Sequence, residues 1–207
     1  METLKKATLI LSFLFAAYSG SKAQDYAKIQ DAFHRSYSAD SAKNYKSSLE
    51  IMKTVYDAGS YEMNVRMGWI SYLAGQFTES VNYYSKAIVL MPYAIEARFG
   101  VIYPVSSLGN WNAVKTQYLE ILKIDPQNTV ANYKLGYIYY TAENYTDAYK
   151  CFEKVVNLYP FDYDGVLMFA WTNWRMGNMR EAKVLFNKAL MMRPNDASAK
   201  EGLGLIK

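Results

Sequence analysis

A proline recurs at Pro92, Pro126, Pro160 and Pro194, an unbroken step of 34 residues in a chain with only five prolines. A period of this length marks a chain of repeated supersecondary units, each too small to bury its own apolar face and each stacked on the next. We number positions 1 to 34 within units that begin at Tyr61, Ile95, Thr129 and Tyr163. Position 7 is Met67, Val101, Leu135 and Phe169, apolar throughout. Position 8 is Gly68, Ile102, Gly136 and Ala170, small in three units. Position 17 is bulky in every unit (Phe77, Trp111, Tyr145, Met179), and position 24 is always aromatic (Tyr84, Tyr118, Phe152, Phe186).

The spacing 4, 7, 8, 11 is one face of a helix, and 17, 20, 24, 27 is one face of a second. Between them Gly75-Gln76, Gly109-Asn110, Glu143-Asn144 and Gly177-Asn178 predict a turn, since Gly and Asn tolerate the positive φ that ends a helix. The proline at position 32 cannot continue the second helix and closes the unit. The small residues at positions 8 and 20 let the two helices approach, and the aromatic at 24 fills the gap toward the next hairpin. The sequence therefore predicts an all-α solenoid of antiparallel helix hairpins.

From Tyr61 to Asp196 the pattern resembles the tetratricopeptide repeat, whose period is 34 residues. The resemblance implies a right-handed superhelical solenoid in which the first helices line a concave groove that takes extended peptides. The unbroken 34-residue step argues against the pentatricopeptide repeat, the neighbouring pattern of slightly longer period. The chain departs from the family at position 4, where Asn64, Arg98, Asn132 and Val166 replace its Trp, and at position 11, where its Tyr survives only as Tyr139. Packing inside the first helix is therefore expected to differ in detail. The carboxylate clamp of chaperone-binding relatives needs Lys and Asn on the groove face. Here position 5 is apolar in most units and position 9 is aromatic, so that activity is not implied.

Residues 1–23 read as a secretory signal peptide. Lys5 and Lys6 form its basic start, Ala7 to Tyr18 its apolar run, and Ser21-Lys22-Ala23 a cleavage site that leaves Gln24 first. The run is short of the ~20 residues that span a bilayer. The expectation is an exported chain, periplasmic or secreted, with no membrane span after cleavage. Residues 24–60 read as a degenerate N-terminal hairpin in which the 34-residue register slips by about two and Ser60 replaces the closing proline. The repeats come next at 61–94, 95–128, 129–162 and 163–196, and 197–207 reads as a C-terminal capping helix. In the second repeat Pro104 falls inside the first helix, and Ile102, Val114 and Ile121 stand where small residues usually sit. A kinked or shortened helix and wider helix spacing are expected there.

The formal net charge is +4 over 207 residues and falls further when the signal is removed, which gives no electrostatic reason to bind nucleic acid. A single cysteine, Cys151, excludes an internal disulfide, and one histidine, His34, supplies neither a nucleophile's base nor a metal set. No phosphate loop or catalytic motif is present, so the chain reads as non-catalytic, with no cofactor and no metal.

A binding surface is better supported. Advancing about 100° per residue, positions 5, 9, 12 and 13 of the first helix point away from the packed face. They place Trp69, Tyr72, Phe99, Tyr103, Tyr133, Tyr137, Tyr140, Trp171, Trp174 and Arg175 on a second, aromatic face. An amphipathic helix is usually polar there. The sequence thus predicts a scaffold of the cell envelope that binds a protein or peptide partner in this groove. The alternative is a module for glycan or peptidoglycan, whose sugar faces stack on the same rings. Position 5 leans toward the neighbouring helix and is the position most open to a core role.

Overall fold

The computed structural model describes residues 25–206, and among these it contains eleven helices and no strand. The expected signal at 1–23 lies outside the described residues. The helices are α1 Tyr26–Ser41, α2 Tyr45–Lys53, α3 Tyr61–Leu73, α4 Phe77–Leu90, α5 Ile95–Ser107, α6 Trp111–Ile124, α7 Thr129–Thr141, α8 Tyr145–Leu158, α9 Tyr163–Arg175, α10 Met179–Met192 and α11 Ala197–Gly204. The chain divides into two compact units between Val55 and Tyr56.

In the larger unit the helix ends are set by side-chain caps. Ser60, Asn128, Asp162 and Asp196 precede α3, α7, α9 and α11 and accept from the amides of Met63, Ala131, Gly165 and Ala199. Each such cap contributes about 1 kcal/mol. Ser60 is thus a helix cap, and Ala58 occupies the place of the closing proline. Before the second helices, Asn110 and Asn144 accept from the amides of Ala113 and Asp147. The Asn of the turn is therefore a cap and not the left-handed residue. That role falls one position earlier, on Gly75, Gly109 and Gly177 (φ 75°, 71° and 81°) and on Glu143 (φ 59°).

The missing Trp at position 4 has a structural replacement. Asn64, fully buried, donates from Nδ2 to the carbonyls of Ala58 and Ser60 at 2.9 and 2.6 Å. Asn132 does the same to Pro126 and Asn128 at 3.1 and 2.9 Å, and an Arg98 guanidinium nitrogen donates to the Pro92 carbonyl at 3.2 Å. Position 4 thus ties the inter-repeat loop to the first helix, adding to the backbone bonds that the Ser60 and Asn128 carbonyls already accept from the amides of Asn64 and Asn132. Val166 cannot do this and is packed as core.

Successive helices pack antiparallel along the unit. The aromatic at position 24 lies between its own first helix and the first helix of the next repeat. A Cβ on Gly100 would come within 2.2 Å of the Tyr84 ring, and one on Gly202 within 2.2 Å of the Phe186 ring. These position-6 glycines let α5 settle on α3 and α11 on α9. At the same position α9 has Met168 and α7 has Lys134. α7 still packs on α9, but α5 and α7 stand apart. Lys134 is exposed, and Met168 at the same position leaves α9 packed on α7, so position 6 alone does not set the spacing. The gap adjoins the repeat that contains Pro104. Pro104 itself does not shorten its helix, since α5 has 13 residues, as do α3, α7 and α9.

The smaller unit holds α1 and α2. Its turn uses Lys43 at φ 56° and Asn44 as cap, two residues out of step with the later turns. Ala32, Leu49 and Met52 are its buried apolar residues, and the buried Ser48 hydroxyl donates to the Ser36 carbonyl at 3.0 Å.

Candidate functional site

The first helices place the ten candidate residues differently. Position 9 supplies the exposed row: Trp69 is 36% exposed, and Tyr103 and Tyr137 are each 49% exposed. An indole or phenol held this far in water on a rigid helix has no packing role that demands it. Trp69, Tyr72 and Tyr103 form a three-ring cluster with centroids 5.5 to 5.8 Å apart, which preorganises the row across α3 and α5.

Trp171, expected to end that row, is half-buried instead. Its ring lies edge-on to Phe186 at 5.0 Å and to Trp174 at 5.6 Å, and its Nε1 donates to Ser198 Oγ at 2.9 Å. The terminal helix α11 covers it because Ala197 begins that helix where a fifth repeat would begin. Position 5 is core-facing, as its lean toward the neighbouring helix suggested. Phe99 packs on Tyr118 at 6.5 Å and Tyr133 on Phe152 at 5.8 Å, both half-buried. Burial raises the phenol pKa of Tyr118 and of Tyr133, with Asp164 and Asp162 adding to the second.

Tyr140, Trp174 and Arg175 gather at the far end of the face. Arg175 is exposed, its guanidinium 5.2 Å from the Trp174 ring centroid and 6.0 Å from that of Tyr145. Hydrogen bonding to Tyr140 raises the Arg175 pKa and keeps it charged. The Trp174 Nε1 is buried without a hydrogen-bond partner.

Two cavities open on this face, one on each side of Tyr137. The first, about 430 Å³, occupies the gap between α5 and α7 and is walled by Phe99, Tyr103, Trp111, Tyr118 and Tyr137. The repeat pattern gives Trp111 a packing place, yet it is 65% exposed and forms part of this wall. The sequence signals at this place are Ile102 and Val114 where small residues usually sit, and Lys134 in place of a position-6 glycine. The second cavity, about 490 Å³, lies between α7, α9 and α11 and is lined by Tyr137, Tyr140, Trp171, Trp174, Arg175 and Glu201, among others. Tyr133 opens on neither; it lines a separate cavity of about 400 Å³ with Lys134, Asp162 and Asp164.

Burial pushes the Cys151 thiol up to about 11, so it is protonated and unreactive near neutrality. Among the described residues no group of three or more His, Cys, Asp or Glu is placed to hold a metal ion, and no helix is long and apolar enough to cross a membrane.

Comparison with known proteins agrees with this architecture. Family models described as tetratricopeptide repeat match residues 130–162 and 164–196. A tetratricopeptide repeat protein from Parabacteroides merdae has a similar structure, with a TM-score of 0.72 at 21% identity over 86% of this chain and 71% of that one. MamA from Desulfovibrio magneticus is also similar, with a TM-score of 0.67 at 18% identity over 84% of this chain and 100% of that one. At these identities the likeness establishes the fold. No curated protein matches the sequence.

Proposed function

We propose that this chain, which is built of tetratricopeptide repeats, is a non-catalytic interaction scaffold of the cell envelope that holds a partner segment against the face formed by its first helices. The repeat is a protein-interaction module, and the observation that supports this particular face is the exposed row Trp69, Tyr103 and Tyr137. Rigid aromatic anchors of this kind contribute most of the binding energy at protein interfaces. The basic start, apolar run and small-residue cleavage site at residues 1–23 support export.

The test is a pull-down from an envelope extract with the chain beginning at Gln24, beside a Trp69→Ser/Tyr103→Ser double variant, read by mass spectrometry. A protein retained by the wild type and lost by a variant with unchanged circular dichroism is the expected result. Equal retention by both would remove the aromatic row from the interface. Retention of isolated cell-wall glycan in place of any protein would transfer the same face to a carbohydrate ligand.

A further inference from the structure

We infer that the cavity between α5, α6 and α7 is a binding site for a small, uncharged aromatic molecule that carries one hydrogen-bond-accepting oxygen. The inference goes beyond the partner reading, because this ligand sits inside the repeat stack and does not lie across its face.

The cavity reaches from the surface to the core. Ile102, Val114 and Tyr118, all buried, form its floor, and the exposed Tyr103, Trp111 and Tyr137 form its mouth. Three consecutive helices supply the walls, so the space exists before any ligand arrives. Its volume of about 430 Å³ falls in the range of about 300–1,000 Å³ usual for small-molecule sites. Phe99 joins Tyr103, Trp111, Tyr118 and Tyr137 as a fifth aromatic wall. Rings set around a space hold a planar aromatic guest by edge-to-face and offset contacts that a flexible chain does not make. Water is a poor occupant, since it needs about two to four polar partners to settle in a cavity. The Ser106 hydroxyl, which also lines the space, is already engaged with the Tyr103 carbonyl at 2.8 Å.

Tyr118 sets the polar requirement. Only 8% of it is exposed, and its ring lies edge-on to Phe99 at 6.5 Å. Its hydroxyl makes no hydrogen bond among the described residues. Burial and the neighbouring Tyr103 phenol disfavour its ionisation, so it remains an O–H donor. A sequestered donor without an acceptor is unfavourable, and an oxygen on the guest corrects this. Charge favours a neutral guest. Lys134 is the one charged residue of the lining; it is exposed and also lines the adjoining cavity, which contains Asp162 and Asp164. Asp164 in turn faces Arg193 at 4.0 Å, so acids and bases balance around the mouth.

The experiment titrates prodan, a neutral naphthyl ketone whose emission moves to shorter wavelength out of water, into the chain beginning at Gln24. One-to-one binding with blue-shifted emission is expected, reversed by naphthyl methyl ketone. Ethylnaphthalene, which has the same shape without the oxygen, should compete about threefold to tenfold less well. Tyr118→Phe should weaken the ketone by that same factor and leave ethylnaphthalene unchanged. Ser106→Phe, which fills the cavity, should abolish prodan binding with unchanged circular dichroism, and Trp69→Ser, outside the cavity, should leave it intact. Absence of prodan binding, binding that survives Ser106→Phe, or equal competition by the two naphthalenes overturns the inference. Competition by the open-chain ketone decanone as strong as that of naphthyl methyl ketone overturns it as well. Partner capture is read separately in the pull-down, so either reading can fail while the other stands.

Discussion

The repeat at 95–128 and the repeat at 163–196 have first helices of equal length, yet the next first helix packs on each of them differently. In the later repeat Phe186 is fully buried against Gly202, and α11 closes onto α9. In the earlier one the place of that glycine is taken by Lys134, Tyr118 retains slight exposure, and a cavity of about 430 Å³ stays open between α5 and α7. Proline content does not explain the contrast, because Pro104 leaves its helix at full length. The two contacts differ in two places: Ile102 stands where the later repeat has Ala170, and Lys134 stands where Gly202 does. A repeat protein can thus hold a cavity open between first helices without an inserted loop.

The comparison can be broken most directly by removing the two aromatics. Phe186→Ala should destabilise by about 3–5 kcal/mol, the usual range for a fully enclosed ring. Tyr118→Ala should cost at least about 1 kcal/mol less, because its ring already borders open volume and loses fewer contacts. Urea unfolding monitored by circular dichroism measures both, and equal losses would show that the cavity does not relieve the packing of Tyr118. Pro104→Ala tests the rival cause. A proline inside a helix costs about 3 kcal/mol in the interior, so the alanine variant is expected to gain about 1–3 kcal/mol while keeping the cavity between α5 and α7. Loss of that cavity in the variant's structure would restore Pro104 as its origin. The smallest effect concerns the turns. Gly75, Gly109 and Gly177 adopt the left-handed backbone conformation without a side chain, whereas Glu143 adopts it with one. Glu143→Gly should gain about 0.5–1 kcal/mol in the same assay, the relief of left-handed strain less the added freedom of the unfolded chain. A destabilised variant would mean that the Glu143 side chain supports its turn by an interaction outweighing that strain.

Most of the fold was legible because its causes are local and repeat. The 3.6-residue stripes, the turn residues and the closing prolines each act within a few residues, and four units in register reinforce one another. The roles of single turn residues were less legible. Asn110 and Asn144 look alike as turn formers or as caps until the backbone shows which angle each adopts. Asn64 and Asn132 stood out only as missing tryptophans, although their amides hold the inter-repeat loops. The candidate site was legible as a set of rings on one helix face and not as a surface. Trp69 and Trp171 share position 9 and the same periodicity, yet one is exposed and the other lies under α11.

The sequence by itself determined the hairpins, their register and the face on which the aromatics lie, because each depends on spacing within one or two helices. Only the tertiary structure decided which rings face solvent and where the cavities open. Those outcomes depend on contacts between residues far apart in the chain, such as Phe186 with Gly202 and Trp171 with Ser198. Periodicity fixes the direction in which a side chain points, and packing against the next repeat fixes what it meets there.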